Sequence, residues 1–251
     1  MRYLLALLIL ALPPAFAEQA AIDEAFSAGQ YREAAMQAQV QQTADGLAFA
    51  ARSLLAEAMS APDHIPPQDI VVEAETLARQ AIEQDGDHIE GRLQLAIALS
   101  LRAHPLTTRE TMRAGYGGDA KALVEAVLED DPGNFYAHGF LAVWNIEVVN
   151  RGGSIGSAVL GASVKKGRAH YQNAIAVSAD DPATHWQYAR ALTALNARKY
   201  REDIDAALKA AVSAPASTAL ERVMQHRART LQTALETQKR RDVEDLAAAM
   251  L

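Results

Sequence analysis

The sequence predicts an all-α fold built from helix hairpins, and two observations carry this prediction. Half of the 251 residues are apolar, with alanine dominating, and only 6% are aromatic. Small and unbranched residues favour closely packed helices, whereas strands are rich in β-branched and aromatic residues. Short turns that contain glycine or proline also recur between apolar segments, and such turns end one helix so that the next folds back.

Residues 1–17 follow the order of a secretory signal peptide. Arg2 precedes an apolar run over residues 4–12, then two prolines, and then Ala-Phe-Ala at residues 15–17. This order predicts cleavage before Glu18. The apolar run is too short for a stable membrane anchor. We therefore expect a periplasmic or secreted protein, with a buried N-terminal helix as the alternative.

Charge and cysteine content narrow the classes of partner and compartment. The chain has 31 acidic and 24 basic residues, a net charge of −7. Nucleic acids and anionic membranes attract basic surfaces, so neither is expected as the main partner. The chain contains no cysteine, which excludes a disulfide framework and a lipid-accepting cysteine after the signal.

A repeated unit runs through the middle of the chain. Residues 81–96 and 127–142 align without a gap, and each contains a helix end, an acidic turn and a new helix that carries Leu-Ala. Gly86 and Pro132 close these two turns. Similar turns contain Gly46, Pro182 and Pro215, and the repetition predicts about five stacked helix hairpins.

Two segments resemble a known repeat family. Residues 28–34 (AGQYREA) and 197–202 (ARKYRE) are similar to the turn into the second helix of a tetratricopeptide repeat, with an aromatic residue just before the helix. The resemblance covers about residues 20–215. It implies a tetratricopeptide-like superhelical array over residues 18–215, followed by a C-terminal capping helix and tail over residues 216–251.

Three repeat units are longer than the family period of about 34 residues. Their surplus falls in segments rich in proline or glycine, at residues 61–69, 104–118 and 151–167. Insertions at the same place in successive repeats map to one face of the array. We therefore expect these long inserts to be loops that line a single rim.

The third insert contains GSAVLGAS, residues 156–163, which has the Gly-x-x-x-x-Gly spacing of a phosphate-binding loop. Such a loop joins a strand to a helix and uses a lysine to reach the phosphates. Here Ala162 replaces the lysine, and residues 140–150 have a helical pattern. We therefore favour a structural loop, in which Val159 and Leu160 pack back onto the array, over a nucleotide site.

Basic side chains gather in or beside the two longest inserts of this acidic protein. Next to glycine-rich backbone they suit an acidic peptide, a carboxylate or a phosphate, and the alternative is an ordinary solvated loop. The residues proposed for this insert rim are Arg109, Arg113, Tyr116, Arg151, Lys165, Lys166 and Arg168.

The family resemblance also implies a concave groove lined by the first helix of each repeat. Aromatic rings there would supply contact area for a peptide, and acids would select basic side chains. The alternative, a place in the core, is preferred for Phe140 and Trp144 and stays open for Tyr136 and Trp186. The implied groove residues are Glu57, Glu90, Tyr136, Glu147, Trp186 and Asn196.

The residues provide no pattern for catalysis or metal binding. The seven histidines form no HxxxH or HExxH pair, and a Gly-x-Ser-x-Gly elbow does not occur. The pairs Asp130-Asp131 and Asp180-Asp181 each precede a proline, which favours a role in turns. We therefore expect no enzyme, no cofactor-binding residue and no metal ligand.

The expected function is that of a non-enzymatic periplasmic scaffold that binds a protein or peptide. The alternative is an accessory carrier subunit for a small ligand or lipid in transport or envelope assembly. An apolar cavity under Val159 and Leu160 would favour the carrier, and exposed Tyr136 and Trp186 in an open groove would favour the scaffold. The C-terminal tail is expected to extend the cap or to mediate self-association.

Overall fold

The computed structural model describes residues 14–250, with side chains from residue 18 onward. The predicted signal peptide, residues 1–17, lies outside this part of the chain apart from the backbone of its last four residues. Export and cleavage before Glu18 therefore stay predictions. Residues 14–250 form helices and no strands, as the composition predicted.

Helices follow one another along the chain with short connections. Their bounds are α1 (Pro14–Ala28), α2 (Tyr31–Val40), α3 (Ala44–Met59), α4 (Gln68–Gln84), α5 (Ile89–Ala103), α6 (Thr108–Ala114), α7 (Tyr116–Asp130), α8 (Phe135–Leu160), α9 (Val164–Val177), α10 (Pro182–Asn196), α11 (Arg201–Ser213), α12 (Ala219–Thr237) and α13 (Arg240–Ala249).

The helices form two rows. In the inner row, α3 contacts α5, α5 contacts α8, α8 contacts α10 and α10 contacts α12. In the outer row, α4, α7, α9 and α11 each pack against two successive inner helices, and α2 packs against α1 and α3. The chain is therefore an all-α, repeat-like array of helix hairpins.

Each inner helix begins in the same way. A side chain at the N-cap accepts a hydrogen bond from the backbone N–H three residues later, and one such cap contributes about 1 kcal/mol. Two of the predicted turn residues lie inside inner helices: Gly46 at that third position of α3, and Pro182 as the first residue of α10. The five caps are Thr43, His88, Asn134, Asp181 and Thr218.

A second contact recurs in three of these units. The side chain four positions after the cap donates a hydrogen bond to a carbonyl six residues back, in the turn before its own helix. This contact ties each inner helix to the turn that precedes it. The pairs are Arg92 with the oxygen of Gly86 (2.8 Å), His138 with that of Pro132 (3.1 Å) and His185 with that of Ala179 (2.8 Å).

The two ends of the array meet. Helix α12 contacts α1, and Arg227 on α12 donates hydrogen bonds to the carbonyls of Met59 (2.8 Å) and Ala61 (2.9 Å) at the end of α3. Gly29 lies so close to α12 that an added Cβ would stand 2.9 Å from the Cβ of Ala219. The last helix, α13, packs across α10. The array is therefore closed by its own C-terminal segment.

The inserts differ from the predicted loops, because two of the three are largely helical. Residues 104–118 contain all of α6 and the start of α7, and α8 continues through residues 151–160. Gly153 interrupts α8 with φ of 57° and ψ of −152°, a conformation that essentially only glycine adopts. Alanine, valine and leucine after this break favour a return to helix, up to Gly161 with φ of 65°.

Within residues 14–250, no helix is both long enough and apolar enough to span a bilayer.

Candidate functional site

The predicted groove is closed at Trp186, so this part of the prediction is wrong. The side chain of Trp186 is 0% exposed and lies in the core that α8, α10, α12 and α13 share. Residues 188–193 of α10 are also buried without interruption, which means that neighbours surround the helix on every side. Helices α12 and α13 provide the cover, and this long-range packing left no signal in the periodicity of α10.

The acids assigned to the groove form ion pairs within the protein. Glu57 on α3 pairs with Arg32 of α2 at 3.2 Å, and Glu90 on α5 lies 3.8 Å from Arg52 of α3. The Asn196 side chain accepts a hydrogen bond from the backbone N–H of Lys199 at 2.8 Å. These side chains therefore hold neighbouring elements together.

Glu147 is the most enclosed of these acids. Its carboxylate accepts a hydrogen bond from Arg190 at 2.7 Å, and the buried Arg190 side chain also reaches the carbonyl of Ala247 on α13. Burial lowers the pKa of the nearby His104, and the positive charges of Arg190 and Arg151 lower it further. Glu147 is thus the counterion of a buried arginine between α8, α10 and α13.

Tyr136 and Glu90 are the two groove residues that the structure brings together at a surface. Tyr136 is 48% exposed at the start of α8, and burial of its hydroxyl group raises its pKa. Arg52 and Glu90 line a neighbouring cleft of about 330 Å³ between α3 and α5. In this cleft Arg52 is paired with Glu90, and Asp45 accepts a hydrogen bond from Nε2 of His88 at 2.9 Å, so its main polar groups already have partners.

The two longest inserts lie side by side. Arg151 donates hydrogen bonds to the carbonyls of Ala103 (3.2 Å) and Leu106 (2.6 Å), and its own carbonyl accepts one from Thr108 (3.0 Å). At the other end, a methyl group of Leu160 stands 3.7 Å from the place of a Cβ on Gly117. Residues 108–117 therefore run along residues 151–160.

Several residues of the predicted rim have structural partners. Arg151 joins the two inserts, Lys166 donates to the carbonyl of Gly161 at 2.7 Å, and Arg168 pairs with Asp203 of α11. Tyr116 is half-buried at the start of α7 and packs against the core of the N-terminal helices. These four residues hold the inserts in place.

The other three rim residues are exposed. Arg109 and Arg113 lie on the outer side of α6, and Lys165 lies in the first turn of α9. Within the described chain, their charged groups make no hydrogen bond or ion pair with another residue. They are therefore available to a partner, as the rim hypothesis requires.

Apolar side chains that sequence reasoning missed accompany these charges. Met112 is exposed between Arg109 and Arg113, and Ile155 and Val159 are 72% and 67% exposed one turn apart on α8. The prediction that Val159 packs back onto the array is therefore wrong, whereas Leu160 does contact α7. A helical assignment of residues 154–160 would have revealed this pair at i, i+4 spacing.

We name this surface the insert face. It consists of Arg109, Met112, Arg113, Ile155, Val159 and Lys165.

The GSAVLGAS segment is helical up to Leu160 rather than the structural loop that we expected. Residues 156–160 form the last turns of α8, and Gly161 ends the helix in the left-handed conformation. Ser163 caps α9 by accepting a hydrogen bond from the N–H of Lys166. Gly161 and Ser163 are thus helix-end residues, whereas Gly156 lies inside α8.

Histidines and acids serve the turns and the core. His138 and His170 share a hydrogen bond of 2.9 Å between their Nδ1 atoms, and His185 accepts one from the hydroxyl of Tyr171 at 2.6 Å. Asp131 and Asp181 accept hydrogen bonds from turn and helix-start N–H groups, as their position before a proline predicted. In the described part of the chain, no cluster of three or more possible metal ligands occurs.

Comparison of the sequence with protein-family models and with curated proteins finds no match in either set.

Proposed function

We propose that this protein is a non-enzymatic, exported, tetratricopeptide-like scaffold that binds a partner protein through the insert face. The single observation that carries the proposal is the combination of exposed apolar side chains with unmatched basic ones at one place. Met112, Arg109 and Arg113 are exposed on α6, and Ile155 and Val159 are exposed on the segment of α8 that runs along it. Clustered apolar exposure with a polar border is typical of protein interaction sites.

Charge supports the same proposal and indicates the class of partner. The protein has a net charge of −7, yet the insert face is basic. Glu110, the acid of α6, is held by hydrogen bonds from the N–H and hydroxyl of Thr107, and these bonds lower its pKa. A partner surface with acidic residues around an apolar centre would complement this face and be steered to it.

The insert face also has a fixed shape before a partner arrives. The capping box of Thr107 and Glu110 begins α6, and Arg151 joins the two inserts through backbone carbonyls. A pre-formed surface loses less conformational entropy on binding than a mobile loop does. This rigidity favours a scaffold over a carrier whose inserts close over a ligand, since Val159 projects outward.

Site-specific cross-linking tests the proposal in the cell. We expect p-benzoylphenylalanine at position 112 to cross-link one predominant partner in the envelope, and the triple variant R109E/R113E/K165E to abolish that adduct. The matched control is R198E/K209E/R229E, which changes as many exposed basic residues outside the face. An adduct that persists in the face variant, or that the control variant removes equally, contradicts the proposal.

A further inference from the structure

A second surface, remote in sequence from the insert face, carries a separate inference. Helices α2 and α4 lie side by side in the outer row, with Arg32 3.8 Å from Glu73 near their starts and Gln84 donating to the carbonyl of Gln42 (3.3 Å) at their ends. Between these ends is a cleft of about 400 Å³, within the usual range for ligand sites of about 300–1,000 Å³. Its lining consists of Gln39, Gln42, Leu47, Gln80, Glu83 and Gln84.

Side-chain amides dominate this glutamine cleft. Gln39 and Gln42 lie one turn apart at the end of α2, and Gln80 and Gln84 lie one turn apart on α4. Each amide offers an acceptor oxygen and two N–H donors. The cleft therefore presents two rows of neutral groups, each of which can both donate and accept.

All four glutamines are exposed, and most of their hydrogen-bonding capacity is directed to solvent rather than to other residues of the described chain. Gln42 donates one hydrogen bond to the carbonyl of Gln39 (2.9 Å), and Gln84 donates one to that of Gln42. The oxygens of both amides remain available, and the side chains of Gln39 and Gln80 make no hydrogen bond to another described residue. Leu47 is buried and forms an apolar floor.

The backbone conformation of Gln42 is a further observation in favour of a binding site in this cleft. Gln42 has φ of 54°, in the left-handed region, at the position after a helix where glycine is usual. A residue with a side chain is disfavoured there, and such strained positions are enriched at functional sites. The side chain of Gln42 therefore lines the cleft from a backbone conformation that is unfavourable for a residue with a side chain.

We propose that the glutamine cleft binds an extended, uncharged peptide segment through its main chain. A peptide group has one donor and one acceptor, as a side-chain amide does, so the two rows can pair with both edges of an extended strand. Glu83 at the border disfavours acidic segments. This ligand differs from the acidic partner proposed for the insert face, and the two proposals can fail independently.

Titration followed by NMR tests this proposal directly. The probe is a blocked eight-residue peptide of alternating threonine and serine, added to uniformly ¹⁵N-labelled protein. We expect the side-chain amide resonances of the cleft to shift on addition of the peptide. Q39A/Q80A should raise the dissociation constant about tenfold, because two neutral hydrogen bonds are lost. The control Q172A, an exposed glutamine on α9, should leave binding unchanged.

Gln42 supplies a variant that separates binding from stability. Q42G should raise Tm by about 2 °C because glycine relieves the backbone strain, and it should weaken the peptide because the amide is lost. A protein that becomes more stable yet binds less well cannot be explained by damage to the fold.

Four results would overturn the proposal. The first is the absence of any resonance shift at millimolar peptide, and the second is equal affinity of Q39A/Q80A and the unchanged protein for the peptide. The third is equal affinity for a peptide whose alternate backbone amides are N-methylated. The fourth is that a sugar, chitotriose, shifts the side-chain amide resonances of the cleft while the peptide does not.

Discussion

The inner helices and the insert face were both expected to carry exposed functional side chains, but they differ in where the chain's own C-terminus packs. Trp186 on α10 is fully buried, and both α12 and α13 pack against that helix. Ile155 on the distal part of α8 is 72% exposed because no element of the described chain lies over the inserts. The position of the capping segment therefore decides which surface remains available.

The two regions also differ in whether their charged side chains have partners within the protein. Arg190 in the inner row has a carboxylate partner, Glu147, and a backbone carbonyl from α13. Arg109 and Arg113 on α6 have neither, although they belong to a protein with excess acid. A charged side chain in the interior destabilises the fold unless it has a partner, whereas an unpaired charged side chain at the surface contacts solvent or another molecule.

The largest expected effect comes from truncating one side chain in each region. Trp186→Ala should lower the free energy of unfolding by about 3–5 kcal/mol, because it empties a closed core site. Ile155→Ala, the matched change on the insert face, should stay within about 0.5 kcal/mol. Urea unfolding followed by circular dichroism measures both.

A small effect of Trp186→Ala on the free energy of unfolding would contradict the contrast between a buried inner row and an exposed insert face. A loss below about 1 kcal/mol would mean that Trp186 is accessible to solvent, and the groove would again be a candidate surface. Quenching of tryptophan fluorescence by acrylamide in a Trp144→Phe background would check this point, since it reports on Trp186 alone.

The closure of the array provides the second prediction. Arg227 is 3% exposed and donates to two carbonyls at the end of α3. Arg227→Leu should lower the free energy of unfolding by about 2–3 kcal/mol, because hydrogen bonds to a charged group are lost and buried carbonyls stay unpaired. Arg229→Leu, an exposed neighbour on α12, is the control. Equal urea midpoints for the two variants would mean that the ends meet without this contact.

Much of the fold was predictable because its signals are local. The acidic turns around Gly86, Pro132 and Pro182 each precede an inner helix, and the polar residue before each helix is its cap. Caps and helix-ending residues act within a few positions of the chain, so a single sequence contains them. The same reasoning placed Asp131 and Asp181 in turns rather than in a site.

The errors arose where distant segments meet. Helix α10, which carries the buried Trp186, packs against α13, which begins more than fifty positions later in the chain. Periodicity within α10 does not contain that contact. The two longest inserts were predicted as loops because of their glycines, yet of these glycines only Gly115, Gly153 and Gly161 have positive φ. The residues between these breaks are helical although several of them are weak helix formers, so the composition of the inserts did not predict their structure.

The smallest predicted effect concerns pH and again separates the two regions. Burial lowers the pKa of His170, and the neighbouring His138 lowers it further. Because Nε2 of His138 donates to the carbonyl of Pro132, its Nδ1 accepts the hydrogen bond from His170. A second proton on His170 would leave this hydrogen bond in place but would put a positive charge at a partly buried site beside His138. Glu125 opposes this shift and Lys166 supports it.

The sign of the pH effect follows from the lowered pKa. The unfolded chain binds more protons than the folded one between the folded pKa and about 6.5, so the free energy of unfolding should fall as pH drops through this window. The urea midpoint should therefore be lower at pH 5 than at pH 7.5, and His170→Gln should reduce this difference. Partner binding at the insert face should not change over the same range, because arginine and lysine stay charged. A pH-independent urea midpoint, or binding that weakens in step with stability, would contradict this separation.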